Sequence, residues 1–280
     1  YAKPVFETHS LDQSPQDWAE LETLVDTIKK NSSISQAPWS VGLQSDNGTS
    51  GWPATDWIED IVLRQSGTDV YDDWVAGVTA FDSIDIRHAF TTLADMWFTS
   101  DNVAQTRQEM TATNFADAAK EILGSDRTAL MHKQASFAVN FFDDAEIGTD
   151  VDYFILPPID ETTHGNPLLI AGQFAAATDS EPATLAALRY LADPATIATM
   201  IGETIQLSPN SEVLSEDYPE QWLGDLAETM QNAEAVRFDG SDAMPPEVGA
   251  DVFWSEMIKW TANQQDTQAT VENIDAAWPQ

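Results

Sequence analysis

Residues Gly51 to Gly67, GWPATDWIEDIVLRQSG, place two large aromatics, Trp52 and Trp57, beside the carboxylates of Asp56, Glu59 and Asp60 and shortly after the polar turn Ser45-Asp46-Asn47-Gly48. Side chains of these two kinds do two kinds of chemistry. Indole faces stack on apolar surface, while carboxylates and carboxamides exchange hydrogen bonds with hydroxyls or, in opposed pairs, act as acid and base. The spacing leaves two readings of the tryptophans open: core or helix-staple residues, or a stacking surface at the mouth of a helix. The acids have a plain role as well. Asp56, Glu59 and Asp60 fall near the start of a helix that Thr55 can cap, where negative charge offsets the positive end of the helix dipole.

Other chemistries find less support. Adjacent acids are inevitable among 47 acidic residues, whereas glycoside hydrolysis needs two carboxylates opposed at a set separation. His9, His88, His132 and His164 are scattered with no metal-ligand spacing, and each reads as a surface or satisfied core histidine. Asp46-Asn47-Gly48 lacks the remainder of a calcium loop. Cysteine is absent, which removes thiolate zinc sites and a cysteine nucleophile, and no Gly-x-Ser-x-Gly elbow or phosphate loop occurs. No metal or cofactor is therefore expected. Against the 47 acids stand 12 basic residues, a formal charge of −35 that repels phosphate backbones and anionic lipid heads, so neither nucleic acid nor a membrane surface is an expected partner. We read the charge mainly as a source of solubility. No apolar run approaches the length of a membrane span.

The elements that must position these residues can be read from pattern. A length of 280 residues predicts two lobes or one large α/β unit. Ser14-Pro15-Gln16-Asp17 reads as a cap, a first-turn proline and an acid, opening a helix whose buried stripe is Trp18, Leu21, Val25 and Ile28 and which ends near Lys29 and Lys30. A strand from Trp39 to Leu43 leads into the 45–48 turn, and the helix of the opening motif is expected to bury Ile58, Ile61 and Val62 and to stop at Gly67. Helices follow at Ile84 to Phe98 and Asn114 to Leu123, then strands at Ala129 to Met131 and at Val151 to Leu156, the second stopped by Pro157 and Pro158. A small-residue strand is predicted from Leu168 to Ala177. Helices are predicted at Pro182 to Leu191, capped by Asp179 or Ser180, at Tyr218 to Asn232, and from about Gly249 and Thr267 after the Met244-Pro245-Pro246 interruption.

The order of these motifs carries more than any one of them. Ser14-Pro15-x-Asp17-Trp18, then Trp52-Pro53-x-Thr55-Asp56-Trp57, then Tyr71-Asp72-x-Trp74-Val75, resembles the extracellular sugar-binding proteins of ABC importers in the maltose-binding-protein-like superfamily, particularly the alpha-glucoside branch. The likeness continues through Ala129-Leu130-Met131, Tyr153-x-Ile155-Leu156-Pro157-Pro158, Leu169-Ile170-Ala171-Gly172 and Met244-Pro245 to Phe253-Trp254. It implies an α/β, helix-rich, two-lobe periplasmic-binding-protein fold of type II, with ligand held in the cleft between lobes. Tyr1-Ala2-Lys3 aligns with the segment just after the first crossing between lobes. The resemblance therefore implies a fragment: residues 1–159 as the main part of the second lobe, 160–211 as a returning segment of the first, and 212–280 as the helical C-terminal part of the second. The rest of the first lobe, a signal peptide and any lipid-anchor cysteine would then lie upstream, with the protein outside the cytoplasmic membrane.

The resemblance also implies a non-enzymatic role: binding a neutral mono- or oligosaccharide and delivering it to the membrane subunits of an ABC permease, with no direct membrane insertion by this segment. A neutral sugar has apolar C–H faces and a rim of hydroxyls, so its cleft needs flat aromatic platforms interspersed with donors and acceptors. Trp52 and Trp57, with Asp46, Asn47 and Asp56 nearby, supply both, and at least one of the two tryptophans is expected to face the cleft. Phe137, in a loop after a strand, and Trp254, in preference to Phe253, occupy positions where the family offers aromatic contacts. Gln173 would come from the first-lobe segment, where related binders carry an aspartate; the amide keeps the hydrogen bonding and drops the charge. The competing class is a glycoside hydrolase using paired carboxylates. A neutral ligand has no charge for the field of a −35 protein to act on, so its affinity should barely change between low and high salt, whereas a polyamine or cationic peptide should bind more weakly as salt rises. Titration of the bound ligand across ionic strength decides this, and a steep salt dependence would exclude a neutral sugar.

Overall fold

Helix caps and short parallel strand pairs account for most of the local order in the computed structural model, which describes residues 1–46, 48–142, 145–201 and 206–279, with the side chains of 161 and 162 outside that description. After α1 (Lys3–His9), helix α2 (Trp18–Lys30) starts three residues later than Ser14-Pro15 suggested, because Asp17 is the cap and accepts the Glu20 N–H. Strand β1 (Ala37–Trp39) overlaps the strand predicted from Trp39 to Leu43 at Trp39 alone, since residues 40–43 join no ladder, and it is followed by α3 (Trp52–Val75). Ser83 caps α4 (Ile84–Phe98), a Thr106–Glu109 capping box opens α5 (Arg107–Ala112), and Asn114 caps α6 (Phe115–Lys120). Strand β2 (Ala129–Met131) lies where predicted, and a 3-10 stretch, Ser136–Phe141, follows it.

The second half is less regular. Val151 to Leu156 is extended but forms no ladder, Val151 making only isolated bridges to Ala2 and Ile147. Helix α7 (Glu161–His164) precedes β3 (Leu168–Ile170), which is three residues of the predicted ten. Helix α8 (Pro182–Leu191) has the predicted span but not the predicted cap: Glu181 is the N-cap and makes no side-chain cap bond, Asp179 accepting the Glu181 N–H one step outside the helix, and α9 (Pro194–Ile201) follows. Beyond α10 (Gln221–Gln231) come β4 (Val236–Phe238) and the single turn α11 (Gly240–Ala243). Past the Met244-Pro245-Pro246 break, a π-helical stretch, Glu247–Phe253, runs directly into α12 (Trp254–Thr261), and α13 (Thr267–Asp275) closes the chain. Among the described residues the strands form two parallel pairs, β1 with β2 (Ala37 opposite Ala129) and β3 with β4 (Leu168 opposite Val236).

Helix α3 is the axis of the main core. Its first helical run stops at Gly67, as expected, where φ 82° and ψ 177° are not helical, and after this kink a second run continues to Val75. Gly67 has φ 82°, which only glycine adopts without strain, and the His164 ring lies so close that a Cβ at this position would stand 2.4 Å from Nδ1. From Pro53 to Arg64 nearly every side chain is buried, so the single apolar stripe expected for this helix is in fact burial almost all round. Edge-to-face aromatics surround it: Trp74 against Tyr71, Phe81 and Phe253, and Trp57 between Trp39 and Trp97. None of the helices is long and apolar enough to cross a membrane among the described residues.

Residues 171–192 contrast with this core. Helix α8 buries no residue although most of its side chains are apolar, and Phe174, Tyr190 and Leu191 are all exposed. Few buried contacts mean a low local opening free energy. Pulsed hydrogen exchange on the 280-residue chain should therefore find amides of 171–192 in the fastest class and those of 58–64 in the slowest, and equal protection of the two segments would contradict this packing.

Candidate functional site

Gly51, at φ 111°, caps α3 without a side chain. A Cβ there would stand 2.1 Å from the backbone oxygen of Trp254, so glycine is what lets the start of α3 lie directly against the start of α12. This brings Trp52 and Trp254 to one face of the molecule, each half-buried. The Trp52 ring meets the ring of Phe115 at 4.9 Å in an edge arrangement and that of Phe137 at 6.0 Å, and Phe141 joins Phe115 and Phe137 at 5.4 and 5.9 Å. These rings come from three sequence-distant segments: the head of α3, the head of α6 and the 3-10 stretch. All four are partly exposed and contiguous, a surface suited to stacking.

Beneath the aromatics lies a group of carboxylates. Glu59 is fully buried and accepts the backbone N–H groups of Gly240 (2.7 Å) and Ser241 (3.1 Å). Asp60 is paired with Arg64 and with Lys133 Nζ (2.6 Å), and Arg64 also donates to the Leu156 carbonyl. Asp239 caps α11 by accepting the Asp242 N–H (3.0 Å) and the Ser241 hydroxyl (2.9 Å). Asp56 differs from these. Lys133 donates to its backbone carbonyl at 2.9 Å, but its Oδ1 is shut off from solvent with no hydrogen-bond partner. Burial pushes the Asp56 carboxyl well above the usual carboxylate range, the charge of Lys133 opposing this and those of Asp239, Asp60 and Asp242 adding to it. Glu59 is raised for the same first reason, its two backbone donors opposing. Burial acts on Asp60 too, but Arg64 and Lys133 outweigh it and hold its carboxyl low.

The residues singled out by sequence do not all meet here. Trp52, Asp56, Phe137 and Trp254 lie in or beside this region. Trp57 does not: it is 3% exposed, its ring edges are taken by Trp39 and Trp97, and Lys133 lies 5.4 Å over it. Five residues along a helix turn the side chain about 140° from Trp52, and that direction points into the core. Phe253 is likewise core, against Trp74 and Phe81. Asp46 is exposed on its turn, its carbonyl receiving the Thr49 N–H and hydroxyl, while Asn47 lies outside the described residues. Gln173 is exposed in the segment after β3. Asp56, Glu59 and Asp60 are not first-turn acids, because α3 begins at Trp52 with Gly51 as its cap and Thr55 inside the helix; Glu59 and Asp60 make tertiary hydrogen bonds in the interior instead. His132 is a satisfied core histidine, hydrogen-bonded to the Ser40 carbonyl and Gln134 and held neutral by burial, its pKa lowered to about 4.

Sequence reasoning passed over Phe115, Phe141, Lys133, Asp239, Ser241 and Asp242. The run Asp239-Gly240-Ser241-Asp242 carried a local signal, a capping aspartate with an acid three residues on. Lys133 carried none, because its partners lie more than seventy positions away in sequence.

No protein-family model matches the chain. It is 32% identical over 268 residues to the alpha-glucosides-binding periplasmic protein AglE of Rhizobium meliloti, a match covering 94% of this chain and 57% of that protein. It is 31% identical to the osmoprotective compounds-binding protein GgtB of Synechocystis, covering 95% and 62%. The chain thus spans about three-fifths of the length of these relatives. Among solved structures it matches a chitin oligosaccharide binding protein with a TM-score of 0.76 and 15% identity, over 99% of this chain and 67% of that one. The bacterial solute receptor AcbH, described as preferring β-D-galactopyranose, gives 0.75 and 15% over 99% and 68%, and maltose-bound MalE3 of T. maritima gives 0.60 and 18% over 99% and 68%. Over nearly its whole length the chain is similar to these two binding proteins, and its fold is that of the sugar-binding proteins of the type II class.

The raised carboxyls set a pH dependence. An acid whose folded pKa lies above its unfolded value, about 4 for aspartate, contributes stability that is present below about pH 4 and lost as pH rises through the folded pKa. Asp60, with its lowered pKa, acts in the opposite sense and loses its contribution on acidification. Asp56→Asn, which mimics the neutral acid, should raise the melting temperature by several degrees at mildly alkaline pH, and this gain should shrink toward zero near about pH 4. Melting curves across pH test it, and a gain independent of pH would show that Asp56 ionises without cost.

Proposed function

We propose that this chain, having the fold of periplasmic sugar-binding proteins, is the greater part of an extracytoplasmic solute receptor of an ABC importer that binds a neutral sugar or alpha-gluco-oligosaccharide. The observation that carries the reading is the juxtaposition of half-buried aromatic rings, Trp52 with Phe115 and Phe137, and Trp254, with the buried and unpartnered Oδ1 of Asp56. The rings suit the C–H faces of a pyranose. The Oδ1 of Asp56, closed to solvent in this arrangement, would accept one of its hydroxyls once neighbouring side chains moved aside, and such a hydrogen bond would relieve a group that otherwise stays unsatisfied. The names of the relatives support a small-molecule ligand, alpha-glucosides in one case.

The arrangement of the other acids favours binding over hydrolysis. Glu59 is occupied by two backbone donors and Asp60 by two cations, which leaves no opposed pair of free carboxylates at this face. We read residues 160–211 as a returning piece of a first lobe, with 1–159 and 212–280 forming the second. The exposed apolar surface of α8 is what such a piece presents when little of its own lobe surrounds it. Ligand would then be held between lobes, the closed form being favoured because only it touches sugar from both sides, and the loaded receptor would dock on a permease outside the membrane.

Calorimetry with maltose, trehalose and galactose tests the reading. At least one sugar should bind and be recovered unchanged by chromatography after hours. Trp52→Ala and Trp254→Ala should each weaken it by about 1–3 kcal/mol with the fold retained, whereas Trp57→Ala should cost about 3–5 kcal/mol of stability. No binding of any of the three, or their cleavage, would overturn this function.

A further inference from the structure

The hydroxyl of Ser241 is 1% exposed and has all its hydrogen-bonding capacity in use. Its oxygen accepts the indole N–H of Trp254 at 3.1 Å and the hydroxyl of Thr55 at 3.3 Å, and its proton goes to Asp239 Oδ1 at 2.9 Å. A hydroxyl has one proton and two lone pairs, so nothing remains to offer a ligand. Thr55 shares its proton with the carbonyl of Trp52 at 3.0 Å. The Ser241 backbone is itself held, its N–H given to Glu59. One buried oxygen therefore links the main chain of Trp52 to the ring of Trp254.

We propose that Ser241 is a positioning residue: by holding the Trp254 indole N–H it sets the orientation of that ring relative to Trp52, and so the spacing of the two stacking surfaces, without touching ligand. The backbones at the heads of α3 and α12 already lie in contact at Gly51. What backbone contact leaves undetermined is rotation of the Trp254 side chain, and the bond to Ser241 removes that freedom. It also commits the indole N–H, so Trp254 contributes a stacking face and no hydrogen bond to a sugar. The consequence for binding rests on the sugar reading above; the orientation of the ring does not.

Two measurements on the 280-residue protein separate the two. In protein with 15N-labelled tryptophan, the Trp254 indole resonance is identified by its loss in Trp254→Phe. Ser241→Ala should shift it and speed its exchange with water about tenfold or more, the loss expected when a buried hydrogen bond is opened, with the other indole signals in place. In titrations with maltose, trehalose and galactose, Ser241→Ala should weaken the bound sugar about threefold to tenfold, the worth of one neutral hydrogen bond, but less than about twofold in the Trp254→Phe background, where no N–H exists to be held. An unchanged indole signal, or equal losses of affinity in both backgrounds, overturns the role of Ser241. A wild-type protein that binds none of the three sugars overturns the sugar reading and the binding consequence with it.

Discussion

The burial of Glu59 and Asp60 on α3 is the constraint around which the rest of this structure is arranged. A helix that takes two carboxylates into the interior must meet them there with donors or cations, since an unpaired buried charge costs several kcal/mol or more. Neither partner set is wholly local. Arg64 comes from the next turn of α3, but Lys133 comes from the loop after β2, and the two N–H groups on Glu59 come from the turn after β4. Meeting these charges thus joins two distant segments of the chain to one helix.

The aromatic face follows from that arrangement. With the turn Asp239-Gly240-Ser241 pinned to Glu59, the Ser241 hydroxyl lies where Trp254 and Thr55 both reach it. With Gly51 free of a side chain, α12 seats against the head of α3. Asp56 is left as the member of the acidic group whose Oδ1 has no partner, at the edge of this same face. The site we propose for a polar ligand thus lies where an interior electrostatic network ends.

Local charge and overall charge have different consequences here. The excess of acids gives a net −35, and among the described residues few of them are buried. The few acids carried inside act at short range in a low dielectric, where one unit of charge shifts its neighbours strongly. The raised carboxyls of Asp56 and Glu59 and the lowered one of Asp60 lie within five positions of one another, and what divides them is that, of the three, the Asp60 carboxylate is the one bonded directly to both Arg64 and Lys133.

Much of the fold was legible in the sequence because it is set by near neighbours. The helices at Ile84 to Phe98 and Pro182 to Leu191 and the strand at Ala129 to Met131 have the predicted spans, since capping and apolar period act within a few residues. The predicted strands at Val151 to Leu156 and Leu168 to Ala177 shrank, because a strand exists only where a partner supplies its hydrogen bonds and the sequence does not name that partner. The candidate site was legible in kind, as aromatics beside carboxylates, but not in membership. Residue type alone could not tell Trp52 from Trp57, nor a dipole-compensating acid from a buried clamp. Those choices depended on which way each side chain points once α3, the β4 turn and α12 are brought together, and that direction is set by contacts between residues nearly two hundred positions apart.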